Sequence, residues 1–312
     1  MKAAHPAGRG MSPARRRLLG AWALSTLCAA APVRAARPRR IVVMNWELTE
    51  TLLALGEVPV GVSLPDWYRR TIVAPPLPAG VADIGLLYQP NFEALQALSP
   101  DLLVITPGHA PARRWFERLA PTLTLGAYMS SPTPYASLCA ETRQFAARLD
   151  RPARAEALIA AADRTFTRVR GELQARAAGA VLVADVVDDR HLRVYGRGSL
   201  FDAVLQRIGV ANLAHPAQGA AWPTMAGFAL IPVQRLAQVS GATLLLNGPI
   251  AAPLRSALAR NTLWQALPAV RARRLADLPV IAPYGGLVSM QRFAGAVAAS
   301  LQRIAGGGGG LA

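Results

Sequence analysis

One stretch constrains the fold more than any other. Residues 153–176, opened by Pro152, read as a single helix of about 25 residues, which would span about 40 Å. Proline suits a first helical turn, where its missing N–H would have no partner anyway. On both sides lie short apolar runs of the kind that form buried parallel strands. Those before it are residues 40–44, 58–62, 102–106 and 123–125; those after it are 181–187 and 243–247. Helical patterns at 49–55, 91–98, 114–119 and 135–149 separate the first set, and patterns at 199–208, 233–238, 254–265 and 288–304 follow the long helix. Strands alternating with helices specify an α/β fold. The expected architecture is an α/β lobe at 36–151, a rigid linking helix at 152–176 and a second α/β lobe at 177–305. The helix–strand pattern of the first half recurs in the second, which places a cleft between two similar lobes, a favoured position for a ligand. The Gly-rich tail, 306–312, is expected to be flexible, with no core to join.

The N-terminus reads as an export signal over residues 1–35. Arg15-Arg16-Arg17 precedes the apolar run 18–31, and Val33-Arg34-Ala35 offers a small-residue cleavage site. Ser12 and the arginines before Leu18-Leu19 resemble a twin-arginine signal. The run is too short to span a bilayer, which takes about 20 residues. Cleavage after Ala35 would remove six basic residues and lower the net charge from +16 to +10. The surface stays basic enough to favour anionic ligands or partners. Export argues against a nucleic-acid partner, and Lys2 is the only lysine in the chain. Cys28 fits a lipid-attachment motif poorly. Without it, Cys139 is the only thiol, so no internal disulfide or cysteine-cluster metal site is expected. Its helical spacing among apolar residues suggests a buried, inert thiol.

Catalytic signals are weak. Gly196-Arg197-Gly198-Ser199 has neither nucleophile-elbow nor phosphate-loop spacing, and reads as a turn capping the helix from Ser199. His109, His191 and His215 show no paired metal-ligand spacing. Asp185, Asp188 and Asp189 follow a strand, where carboxylates more often cap turns or meet arginine than catalyse. The chain is therefore not expected to be an enzyme. Aromatic residues near strand ends are more suggestive. Trp46, Trp67, Tyr88, Tyr195, Trp222 and Tyr284 fall in or beside loops of both halves, and Trp67-Tyr68-Arg69-Arg70 joins rings to cations. Together they suit a wide cleft that holds a bulky ligand by stacking and hydrogen bonds.

Several segments in order carry a family resemblance. They are Arg40-Ile41-Val42 with Trp46 and Glu47, Pro75-Pro76-Leu77-Pro78, Asp83-Ile84-Gly85, Pro90-Asn91-Phe92-Glu93-Ala94-Leu95 and Pro100-Asp101-Leu102-Leu103-Val104. In the second half they are Asp189-Arg190-His191, Val194-Tyr195-Gly196, Ser199-Leu200-Phe201, Leu263-Trp264-Gln265-Ala266-Leu267-Pro268 and Tyr284-Gly285. Over residues 38–304 the chain resembles the periplasmic ferric-hydroxamate (ferrichrome-type) siderophore-binding proteins of bacterial iron-uptake ABC transporters. That resemblance implies two Rossmann-like lobes, little domain motion and a ferric siderophore held in a shallow aromatic cleft. The iron is cargo wrapped by the siderophore, so no cofactor or protein metal ligand is implied. The partner implied is an inner-membrane permease driven by a cytoplasmic ATPase, met by a periplasmic monomer.

On the resemblance, the ligand-binding set is Trp46, Trp67, Tyr88, His109, Arg190, Arg193, Trp222 and Tyr284. Leu87 stands where the family has an arginine that bonds the hydroxamate oxygens, and His109 where it has a tyrosine. Thr71 and Ala282 stand at family tryptophans, and Arg193 at an apolar position. Arg193, Arg190 or His109 could supply the replacement contacts. Permease docking maps to Glu93 on the first lobe and to Gln234, in place of an acid, on the second. The alternative cargo is haem or a corrinoid such as vitamin B12.

Overall fold

The computed structural model describes residues 39–175, 179–215, 224, 226–239 and 241–311. The export segment, Cys28 and Trp222 lie outside the described residues.

The first lobe is a parallel sheet with strands β1 (Ile41–Val43), β2 (Gly61–Val62), β3 (Ala82–Asp83), β4 (Leu102–Ile105) and β5 (Thr122–Thr124). Their order is β3-β2-β1-β4-β5. Helices α1 (Trp46–Ala54), α2 (Pro65–Thr71), α3 (Phe92–Ala97) and α4 (Arg113–Phe116) connect them. The order reverses direction between β1 and β4, and in such sheets the crevice for ligands opens there, beyond the carboxyl ends of the strands. After β5 come α5 (Pro134–Arg148) and α6 (Pro152–Gln174).

The second lobe holds β6 (Val181–Val186), β7 (His191–Tyr195), α7 (Leu200–Arg207), β8 (Phe228–Pro232) and β9 (Thr243–Asn247). It continues through α8 (Ala252–Arg260), α9 (Thr262–Ala266), α10 (Pro268–Arg271), β10 (Leu275–Leu278) and α11 (Leu287–Ala305). Its sheet order is β10-β9-β6-β7-β8. The first three strands are parallel, whereas β7 runs antiparallel to both β6 and β8. The lobes are thus similar in build but not copies.

Alternation along the strands explains how the lobes join. Ile41, Val43, Leu102 and Val104 face one core, while Val42, Met44, Leu103 and Ile105 face another. In the second lobe Val181, Val183 and Leu245 belong to the same core as Ile41, whereas Leu182, Ala184, Leu244 and Leu246 pack into a separate one. Successive strand residues point to opposite faces, so each sheet gives one face to a shared central core. Helix α6 lies in that core. Its buried stripe is Ala155, Ile159, Ala162, Phe166, Val169 and Leu173, at the three- and four-residue spacing of one helix face. The linking helix is therefore core as well as connector.

Polar contacts also cross between the lobes. The buried Glu50 carboxylate on α1 accepts from the Ser289 backbone N–H (2.8 Å) and hydroxyl (2.6 Å) on α11. Burial raises its pKa even so. Arg292 donates to the carbonyls of Ile72 (2.9 Å) and Val280 (2.8 Å). At Gly285 a Cβ would sit 2.4 Å from the Ser289 side chain and 2.9 Å from Glu50 Oε2, so this junction needs glycine there.

The Gly-rich tail differs from expectation. Instead of hanging free, Gly310 N–H donates to Leu275 O at 2.8 Å, and Leu311 packs on the second-lobe core. One apolar residue beyond the glycines gives the tail a core to join.

Candidate cleft between the lobes

Four expected residues follow the carboxyl ends of four first-lobe strands. Trp46 opens α1 after β1, Trp67 sits on α2 after β2, Tyr88 follows β3, and His109 follows β4. Asn45 caps α1, its side chain accepting from Leu48 N–H at 2.9 Å, which aims the helix start at the crevice. Trp46 Nε1 donates to Ser63 O at 2.7 Å, and its ring packs on Trp67 with centroids 5.6 Å apart. Trp67 is 44% exposed, an open aromatic face beside a fixed one. Arg70 lies over the Trp67 ring at 5.9 Å.

Tyr88 is 63% exposed, with its ring 5.0 Å from His109. It lies so close to the backbone that a Cβ on Gly108 would come within 2.8 Å of its ring. His109 has a different role from the one expected. It is only 3% exposed, and both ring nitrogens are engaged. Nδ1 accepts from Thr106 N–H (3.1 Å), which puts the proton on Nε2, and Nε2 donates to Leu87 O at 2.7 Å. His109 therefore ties the loop bearing Leu87 and Tyr88 to the turn after β4. It positions Tyr88 and has no ring nitrogen to spare for a ligand. Leu87 itself is half-buried.

On the second lobe the centre is Asp185, near the end of β6. It accepts from the Tyr195 hydroxyl and from Asn247 Nδ2 (3.0 Å), and lies 3.6 Å from Arg193. Burial raises its pKa despite these partners. Arg193, on β7 beside Asp185, leans over the Phe228 ring at 5.1 Å, and its side chain is 42% exposed. Tyr284 follows β10. Its hydroxyl donates to Ala226 O at 3.1 Å, and its carbonyl accepts from Tyr128 of the first lobe at 2.7 Å. Burial pushes its pKa up to about 12, with Arg193 opposing and Asp185 and Glu47 reinforcing the shift. Tyr284 thus feels charge from both lobes, which places it where they face each other.

Arg193 and Tyr284 are therefore brought together, as are Trp46 with Trp67 and Tyr88 with His109. Arg190 is not part of these groups. It sits exposed at the β6–β7 hairpin tip, where Asp188 accepts from the Arg190 and His191 backbone N–H groups at 2.8 and 2.7 Å. Those bonds hold the Asp188 carboxyl below the usual range. Glu93, in the first turn of α3, and Gln234 are both exposed. Residues that sequence reasoning missed are Ser63, Asn247 and Phe228, whereas Asp185 meets an arginine, as expected of a carboxylate near a strand end. Three buried polar atoms near this junction have no hydrogen-bond partner: Ser63 Oγ, Arg193 Nε and Asn247 Oδ1. Such atoms are costly to leave unpaired, and a polar ligand is one way to satisfy them.

The profile of the periplasmic binding protein family matches residues 41–282. The chain is 33% identical over 282 residues to the iron(3+)-hydroxamate-binding protein FhuD of Escherichia coli, covering 89% of this chain and 93% of that protein. It is 28% identical over 246 residues to the achromobactin-binding periplasmic protein of Dickeya dadantii, covering 75% and 76%. Among solved structures, the Fe3+–Desferal-bound siderophore-binding protein FhuD of Vibrio cholerae superposes with a TM-score of 0.77 at 25% identity, over 84% of this chain and 97% of that one. Family members of this kind bind substrates for transport and are not enzymes. Two lobes sharing one core, aromatic strand ends on the first and a charged centre on the second are the frame of such a binder, and the chain belongs to the periplasmic binding protein family.

Proposed function

We propose that this protein captures a ferric siderophore of the hydroxamate type in the periplasm and hands it to an inner-membrane ABC permease. The observation that carries the reading is the pairing of two walls. Trp46, Trp67 and Tyr88 offer an aromatic surface on the first lobe. Arg193 offers a guanidinium on the second, fixed by Asp185 and Phe228. The likeness to the iron(3+)-hydroxamate-binding protein of Escherichia coli and to the Fe3+–Desferal-bound siderophore-binding protein of Vibrio cholerae supports the same cargo.

The chemistry follows from the cargo. A ferric hydroxamate presents oxygens that carry negative charge around an iron already fully wrapped. A guanidinium donates charge-assisted hydrogen bonds to such oxygens, and aromatic rings cover the apolar backbone of the chelate. With Leu87 on the first lobe, Arg193 takes the oxygen-binding role from the opposite wall, and Tyr284 beside it adds a hydroxyl. Trp222 belongs to the proposed set by resemblance. His109 and Arg190 leave it as direct contacts. Glu93 and Gln234 present themselves for docking, one lobe each, with only Glu93 able to form an ion pair. A haem or corrinoid cargo is less favoured, because His109, the cleft histidine, has both ring nitrogens occupied.

The test is a tryptophan-fluorescence titration of the protein purified after export. The ligands are a ferric trihydroxamate, a ferric catecholate, ferric citrate, haem and cobalamin. Saturable quenching by the hydroxamate, tighter than by the others, is the expected result. Saturation by haem or cobalamin alone would overturn the cargo.

A further inference from the structure

A cavity of about 500 Å3 has no part in the reading above. It opens between the first turn of α5 and the capping turn and body of α7, so each lobe supplies one wall. None of Trp46, Trp67, Tyr88, Arg193 and Tyr284 lines it, which sets it apart from the cleft. Its size is that of a small-molecule site.

The wall from α7 is cationic. Arg207 is half-buried, with its guanidinium 3.8 Å from the centre of the Tyr135 ring on α5. Its Nη1 donates to Ala203 O at 2.9 Å, which fixes the group against its own helix. The Tyr135 hydroxyl donates to Asp163 of α6 at 3.0 Å, so the ring is held as well. Arg197, in the capping turn, is exposed. Neither arginine pairs with a carboxylate among the described residues. The acid that lines the cavity, Asp202, is buried and already bonded. It accepts from Gln206 Nε2 at 2.7 Å and from Asn212 Nδ2 at 2.8 Å, and His215 lies 3.9 Å from it. The wall from α5 adds no acid. Pro132, Pro134 and Ala136 give it apolar surface, and its first turn has no side-chain cap. Backbone N–H groups of such a turn are left for an outside acceptor.

Two guanidiniums set beside apolar surface suit a multiply charged anion attached to an apolar body. We propose that this cavity is a second ligand site, for a phosphomonoester of a small apolar or aromatic alcohol. The phosphate takes the guanidiniums of Arg207 and Arg197, whose planar donors match its oxygens in geometry and charge. The alcohol part lies along the prolines. A phosphomonoester carries close to two negative charges at neutral pH and so balances both arginines, whereas a carboxylate or sulfonate balances one. Because α5 and α7 belong to different lobes, the occupant bridges them. The site does not depend on what the cleft carries.

The test is calorimetric titration of the protein purified after export, at about pH 7.5 in phosphate-free buffer. The probes are phenyl phosphate, inorganic phosphate and benzenesulfonate. Phenyl phosphate should saturate the site with a Kd below about 1 mM. Inorganic phosphate should bind more weakly for want of the apolar body, and benzenesulfonate for want of the second charge. Arg207→Gln and Arg197→Gln should each weaken phenyl phosphate by about tenfold or more, the scale of one charge-assisted hydrogen bond. Both should leave binding of a ferric hydroxamate unchanged. Arg197 is exposed, so its replacement decides the matter should Arg207→Gln fail to fold. Protein saturated with the ferric hydroxamate should bind phenyl phosphate as well as free protein does. Absence of saturation by phenyl phosphate, or an affinity that survives these substitutions, would overturn the second site. Displacement by the hydroxamate would overturn it too, by putting the phosphate in the cleft. Failure of the hydroxamate to bind would overturn the cargo reading alone, and the phosphate titration would still decide this one.

Discussion

The proposed cargo rests most on one side chain, Arg193. Arg193 is anchored at Asp185 and on Phe228, so its guanidinium is pre-positioned rather than floppy. Replacing it by leucine removes a charge-assisted donor worth about 1.5–3 kcal/mol, or roughly 10- to 100-fold in affinity. Calorimetric titration of Arg193→Leu with a ferric hydroxamate should show that loss; unchanged affinity would put the oxygen contacts elsewhere. Glu47 makes a separate prediction about stability. Its pKa is raised in the folded protein, so the native state holds a proton that the unfolded chain releases. The contribution is fully present below about pH 4.5 and is lost as pH rises through about 7. Glu47→Gln should therefore raise the melting temperature relative to wild type above pH 7 and leave it nearly unchanged at the acid end. A uniform shift at all pH values would mean that the carboxylate is not desolvated.

At the scale of elements, helix α7 shows a signal that was readable in advance. Gly196-Arg197-Gly198-Ser199 reads as a capping turn, and Ser199 Oγ accepts from Asp202 N–H at 3.0 Å. Ser199→Ala should cost about 1 kcal/mol, measured by urea unfolding. No loss would mean that another group caps the helix. The strands legible in the sequence are the mainly apolar β1, β4, β6 and β9, most of whose residues are buried, and β5, expected at 123–125 and found at Thr122–Thr124. Strand β2 shrank to Gly61–Val62, and β3, only Ala82–Asp83, has no pattern to detect. The β7–β8 pair was missed because His191 and Arg193 interrupt its apolar residues, and antiparallel pairing is set by partners distant in sequence. The helix expected over 254–265 breaks at Asn261, whose side chain caps α9 by accepting from Trp264 N–H. The same limit applies to the site. Aromatic residues after strand ends could be picked out individually. The engagement of His109 by Leu87 O, the anchoring of Arg193 by Asp185, and the burial of Glu47 all depend on which loops meet in space, and local sequence does not encode that.

For the whole molecule, the shared core matters more than the division into lobes. Phe201 on α7 and Phe293 on α11 stack with centroids 4.1 Å apart, in the same apolar cluster as Ile41 of β1 and Val181 of β6. Glu50 and Ser289 join the lobes a second time, and Arg292 a third. A hinge would have to break all of these, so ligand capture should leave the lobes in place, and small-angle scattering of free and loaded protein should superimpose. The same continuity predicts how the protein unfolds. Phe293→Ala removes a fully buried ring and should cost about 3–5 kcal/mol. If the lobes were independent, that loss would lower the second lobe alone and split the transition. With one common core, fluorescence from Trp46 in the first lobe and from the buried Trp264 in the second should report the same lowered midpoint. Single-tryptophan versions of the Phe293→Ala variant make the comparison direct. Two midpoints would show that the central core is an interface between two domains, whereas a single one makes the rigid cleft a consequence of folding as one unit.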